Sequence, residues 1–255
     1  MIRKIVSLLL FSMLTLSQIV NAQDTTIVDL NYYENKPPLL RKEQAYGFTI
    51  NTEGFGLLYR KGFHKTGYRK WILEFEITKT KHPKEVKLNN NYYENAKPFI
   101  FGKLNYLLSW HSGVGEQRVI YSKGERGGVE VRLNYSGGLT LGLVKPVYLV
   151  VLNDRTPDDI YDIIIERYNP AKHDVDAIVG RASFFEGFGK SKIVPGIYAK
   201  AGSSFEWGVY DDDIKALEVG AMMDFYYRPV QLMAFNKAQQ VYVGFYVSII
   251  YGKKW

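Results

Sequence analysis

Apolar side chains alternate with period two through almost the whole chain, and most clearly at its C-terminal end. Val241, Val243, Phe245, Val247, Ile249 and Tyr251 share one parity, and Tyr242, Gly244, Tyr246, Ser248, Ile250 and Gly252 share the other. Such alternation makes a strand with two unlike faces. Trp71, Leu73, Phe75 and Ile77 repeat the pattern against Lys70, Glu74, Glu76 and Thr78, and so do Leu217, Val219, Ala221, Met223, Phe225 and Tyr227. A soluble sandwich also alternates, but its second face is solvated and tends to carry Lys, Glu, Ser and Thr. Here the second face mixes glycines and tyrosines with charges of both signs, which suits the filled interior of a small closed barrel.

The expected fold is therefore all-β: a transmembrane antiparallel up-and-down β-barrel of about ten strands, with eight to twelve compatible with the pattern. Turns are expected at Asn51–Gly54, where apolar parity flips, at Ser112-Gly113-Val114-Gly115, at Gly124–Gly128, at the hairpin-like Ser136-Gly137-Gly138, and at Tyr210–Asp213. Loops are expected at 79–98 and 153–191. Within the second, Thr156-Pro157-Asp158-Asp159 reads as the start of a short helix on which Ile160, Ile163 and Ile164 share a face. The parity bookkeeping puts these loops, with 124–128 and 229–240, on the extracellular side. The turns near 210, 137, 113 and 61–67 fall on the periplasmic side.

Residues 1–22 form a secretory signal: Arg3 and Lys4, an apolar run from Ile5 to Leu16, then Val20-Asn21-Ala22 as a small-residue exit. Residues 23–44 read as a mobile periplasmic leader and 45–255 as the barrel. Removing the signal lowers the net charge from +7 to +5. The basic residues form no stripe interleaved with aromatics, which argues against nucleic acid as a partner. There is no cysteine, so no lipid-anchored N-terminus, disulfide or thiol chemistry is expected. The 20 tyrosines suit an interfacial girdle.

Glu74, Glu76, Lys103, Glu130, Arg132, Lys200, Glu206, Glu218 and Asp224 are expected to face the lumen and pair there as an ionic plug. Val247, Ile249, Tyr251 and Trp255 are expected to form the C-terminal assembly signal of an outer-membrane barrel, a partial match because Lys253 and Lys254 intervene. The runs His82-Pro83-Lys84-Glu85, Pro98 to Asn105, Gly128 to Arg132, Gly138 to Pro146 and Arg181 to Phe185, with the Gly252-Lys253-Lys254 tail, resemble a family of uncharacterised outer-membrane β-barrel proteins of Gram-negative bacteria. The resemblance spans about residues 45–255. It implies the fold and the cell outer membrane as location, and brings no catalytic residues.

No catalytic, cofactor or metal set is expected. His111 with Ser112 or Ser109 and Glu116 suggests the triad of a lipid-modifying barrel enzyme, but neighbours on a strand point to opposite faces. Asp154, Asp158, Asp159, Asp162 and Glu166 match no calcium-loop spacing, and His64, His82 and His173 sit too far apart in sequence to read as one metal set. The expected function is that of a non-enzymatic barrel acting by interaction, as an accessory subunit of an envelope complex for protein insertion, secretion or transport. Its expected partners are outer-membrane lipid, lipopolysaccharide, and envelope proteins met through the loops at 79–98 and 153–191. A small porin or ligand-binding channel is the alternative.

Overall fold

The computed structural model describes residues 42–90, 92–93, 96–123, 128–153, 162–208 and 212–255. The expected signal, nearly all of the expected leader, and Asp154 to Asp159 lie outside them. Eight long strands close into a barrel: β1 (Lys42–Asn51), β2 (Gly54–His64), β3 (Arg69–Thr80), β6 (Asn105–Tyr121), β7 (Glu130–Pro146), β11 (Lys192–Glu206), β12 (Asp213–Val230) and β13 (Gln239–Lys254). Each pairs antiparallel with its neighbours, and β1 closes the ring against β13. At that seam Phe48 faces Ile249, and the Thr49 and Ser248 hydroxyls lie 2.8 Å apart inside the lumen. The first strand begins at Lys42, a few residues before the expected start.

Eight strands replace the expected ten because two glycine-rich stretches are not turns. Residues Ser112 to Gly115 lie in the middle of β6, and Ser136 to Gly138 in the middle of β7. Gly113 faces Gly138 across the ladder. A Cβ on Gly138 would sit 2.3 Å from the Ser112 carbonyl oxygen and 2.4 Å from the Gly113 Cα; one on Gly113 would sit 2.5 Å from the Tyr198 hydroxyl. These glycines let two neighbouring strands approach closely and make room for a lumen tyrosine, a use of glycine that competes with turn formation in a narrow barrel.

The merged strands also move one connection. The described flanks of the β6–β7 connection, Tyr121 to Lys123 and Gly128 to Val129, lie at the same end as residues 65–68, Trp207, Gly208 and the junction of Lys42 with Trp255, and not with the long loops. At the other end are the tight β1–β2 turn, residues 231–238 and the described residues of 81–104 and 147–191.

The long loops build a cap. β8 (Tyr148–Asn153), β9 (Asp162–Arg167) and β10 (Ile178–Arg181) form a sheet of order β10-β8-β9, and β4 (Lys87–Leu88) pairs with β5 (Phe99–Ile100). Phe99, Val147, Leu149, Val151, Tyr168 and Ile178 are its buried core. The expected helix is strand β9 over the residues described. Ile163, Ile164 and Ile165 are β-branched, which favours a strand; Ile164 packs on the cap core while its two neighbours are exposed. A single 3-10 turn, Phe188–Lys190, precedes β11. The expected strand running past Pro146 also breaks there, and β8 leaves the barrel.

Gly138→Val should destabilise the barrel by about 1–3 kcal/mol through overpacking. The check is urea unfolding of heat-modifiable barrel in lipid vesicles.

Candidate functional site

Outside, the barrel wall is apolar. Phe48, Leu57, Phe75, Leu133, Leu139, Leu141, Ile197, Val243, Phe245 and Ile249 are exposed along it. Aromatic side chains mark both edges of this belt: Phe63, Trp71, Trp207 and Tyr251 near the short turns, and Phe55, Trp110 and Tyr227 nearer the long loops. A closed ladder leaves no strand edge to satisfy, and an apolar belt with aromatic borders is the surface such a barrel turns to lipid. This is an outer-membrane β-barrel, with the short turns periplasmic and the cap extracellular.

Inside, the lumen is a stack of buried polar contacts. At its middle Arg60 lies between Glu74, at 2.5 Å, and Glu218, at 2.8 Å. Lys200 reaches Glu76 at 2.9 Å and Glu74 at 3.5 Å, and the Tyr246 hydroxyl donates to Glu218 at 2.8 Å. All five charged side chains are buried, as is Tyr246. The periplasmic tier pairs Lys70 with Glu43, Arg132 with Glu206 and Glu130, and Lys254 with Glu206. A cavity of only ≈ 20 Å³ lies there, lined by His64, Lys70, Gln117 and Arg132 among others. The extracellular tier joins His111 Nε2 to Asp224 at 2.8 Å, with the Thr140 hydroxyl donating to the same carboxylate oxygen at 2.9 Å.

Above that tier the lumen closes with an apolar lid. Leu232 and Met233, from the β12–β13 loop, pack with Leu107, Tyr226, Val230 and Tyr242. The loop is tied to the cap through Leu104 N to Leu232 O, 2.8 Å, and Ala234 N to Gly102 O, 2.7 Å.

Eight of the nine expected lumen charges therefore line the lumen or its periplasmic rim. Lys103 does not. It sits in the cap, bridged to Met233 and bonded to Glu85 at 2.5 Å, because the chain between β5 and β6 has left the barrel. Burial, with Lys79 and Lys81 nearby, holds its ammonium below the ordinary value although Glu85 pulls the other way. Titratable lumen residues outside the expected set include Arg60, Lys70, Glu43, Lys254 and His111. Arg60 and Lys70 share parity with lumen-facing neighbours and were legible; Glu43 fell in the expected leader.

The candidate triad is not assembled. His111 is buried in the lumen, Ser109 bonds the Tyr226 hydroxyl at 2.6 Å, and Glu116 accepts from Tyr135 on the other face. Glu166 pairs with Lys172. Val247, Ile249, Tyr251 and Trp255 stand exposed on the outer face of the last strand, and Trp255 exchanges backbone hydrogen bonds with Lys42.

No family model matches the chain, and no curated protein matches it. Two solved structures are similar over 85% of its length. One is Neisserial surface protein A (NspA), with TM-score 0.41, 9% identity and 97% of that chain covered. The other is Ail, the attachment invasion locus protein of Yersinia pestis, in complex with the heparin analogue sucrose octasulfate, with TM-score 0.39, 10% identity and 100% of that chain covered. At this distance nothing of either protein's activity transfers to this chain.

Arg60→Met keeps most of the side-chain volume but leaves Glu74 and Glu218 without their guanidinium. The expected loss is about 3–5 kcal/mol, the cost of orphaning buried charge, read from urea unfolding in vesicles. A second expectation concerns Glu53, in the β1–β2 turn. Burial, with the Asp224 carboxylate close by, pushes it up to about 7. The folded barrel then holds a proton that the unfolded chain releases near its ordinary value of 4.5. Its contribution to stability is present at low pH and is lost as pH rises through the raised value. Glu53→Gln should therefore flatten the fall in unfolding midpoint between about pH 5 and pH 8, with little change at the acidic end.

Proposed function

We propose that this chain is a non-enzymatic outer-membrane barrel that acts by interaction, as an accessory subunit of a larger envelope complex. The observation that carries the reading is the lumen. Its charges are matched to each other rather than to water, and the Leu232–Met233 lid closes it on the extracellular side. A barrel plugged in this way offers partners its outer wall and its cap. The cap has a hydrophobic core of its own, which gives the extracellular loops a fixed shape on a rigid scaffold, the usual setting for recognition.

Affinity-tagged barrel extracted in mild detergent should carry a second envelope protein at a fixed ratio; repeated recovery of the bare monomer would count against the accessory role. In planar bilayers the purified barrel should give no stable conductance. Stable steps whose size changes in Glu74→Ala or Arg132→Ala would favour a diffusion channel instead.

A further inference from the structure

The outer wall carries a pocket where β7 meets the cap. It has a volume of ≈ 150 Å³ and is lined by Lys97, Tyr106, Lys145, Tyr148 and the segment Arg181 to Phe184. That is ample room for a phosphate-sized group. Lys145 pairs across the ladder with Tyr106, on the face opposite the lumen lid. It is only 5% exposed. Its ammonium lies 5.4 Å from the centre of the Tyr106 ring, 5.2 Å from Phe184 and 5.5 Å from Phe188.

Among the described residues, Lys97, Lys145 and Arg181 make no ion pair. Glu186 is close enough to act electrostatically on Lys145 but forms no ion pair with it. Three cationic residues thus line one small pocket, none of them ion-paired among the described residues, and the most buried of them is held among aromatic rings. Elsewhere in this molecule buried cations are paired, as Arg60, Lys70, Arg132 and Lys200 are. A buried lysine and an arginine lining one pocket, neither of them ion-paired among the described residues, offer the chemistry that receives a phosphate.

The wall of the pocket says where that phosphate comes from. Gly187, at φ +79°, turns the chain so closely over Tyr148 that a Cβ there would meet the ring at 2.4 Å. This tight turn presents Phe184, Phe185 and Phe188 at the rim, with Phe185 78% exposed. Exposed phenyl rings beside a basic pocket, at the extracellular border of an apolar belt, match a lipid whose chains meet the rings and whose headgroup meets the cations. We infer that the Lys145–Arg181–Lys97 pocket binds a phosphate of a glycolipid headgroup in the outer leaflet. The inference rests on the membrane placement and is independent of the accessory-subunit reading.

The test uses full-length barrel, delipidated in detergent and titrated with diphosphoryl lipid A, with bound lipid counted by native mass spectrometry. Arg181→Gln and Lys145→Met should each weaken binding about tenfold, the worth of one charge-assisted contact. A phosphate-free glycolipid with the same acyl chains should bind wild type and variants alike, and more weakly than lipid A binds wild type. Heat-modifiable migration verifies folding, and if Lys145→Met fails to fold, the exposed Arg181 carries the test. Equal binding of the phosphate-free lipid to wild type, or unchanged binding of lipid A to a folded Arg181→Gln barrel, would overturn the inference. Inorganic phosphate binding to wild type as tightly as the lipid would assign the pocket to a soluble anion and overturn the lipid source.

Discussion

Arg60, set between Glu74 and Glu218, is the contact on which the interior depends. A closed barrel of eight strands has a lumen too narrow for bulk water but wide enough for side chains. Whatever points inward must find its partner inward. Arg60 comes from β2, Glu74 from β3 and Glu218 from β12, so this one guanidinium joins both sides of the β1–β13 seam through the lumen. Lys200, from β11, adds the opposite wall through Glu74 and Glu76. The backbone ladder alone would leave the ring free to flatten. Cross-lumen ion pairs with hydrogen-bonded partners fix its cross-section, and each is costly to break from one side only.

Tyrosine and glycine complete that packing. Tyr198 lies over Gly113, and Tyr226 lies over Gly142, where a Cβ would come within 2.7 Å of the ring. The rings fill the lumen where the charges do not, and their hydroxyls join the network, as Tyr246 does to Glu218 and Tyr226 to Ser109. The abundance of tyrosine that suggested a membrane girdle is thus shared between the belt and the core.

The alternation made the barrel and most of its inner face legible, because side-chain direction on a strand follows parity alone. Strand number was less legible. A Gly-Gly step between apolar runs signals a hairpin in most sheets, whereas Gly137 and Gly138 serve close approach within one long strand, and only the tertiary contact with Gly113 tells the two apart. Ile160, Ile163 and Ile164 fitted a helical face, but the cap needed a third strand beside β8 and the β-branched residues supplied it. Lys103 had the correct parity for the lumen and the wrong neighbourhood, since parity says nothing about where a strand leaves the barrel. The phosphate pocket was not legible at all. Lys97, Lys145 and Arg181 are far apart in sequence and meet only where the cap folds onto the wall.

The two faces of β7 at its extracellular end show how one strand serves both compartments of the molecule. Val144 packs with the lumen lid, while Lys145, the next residue, faces outward beneath the phenylalanines that precede β11. The lid and the pocket therefore share a backbone. The lid is tied to the chain around Gly102 and Leu104, and the pocket wall is tied to the same cap through the Arg181 N to Lys97 O and Ala182 N to Tyr148 O hydrogen bonds. A ligand held at Lys145 would brace the cap against the barrel from outside, as Leu232 and Met233 brace it from within. With the lumen occupied by its own side chains, that junction of cap and wall is where a ligand bound from the leaflet would bear on the cap.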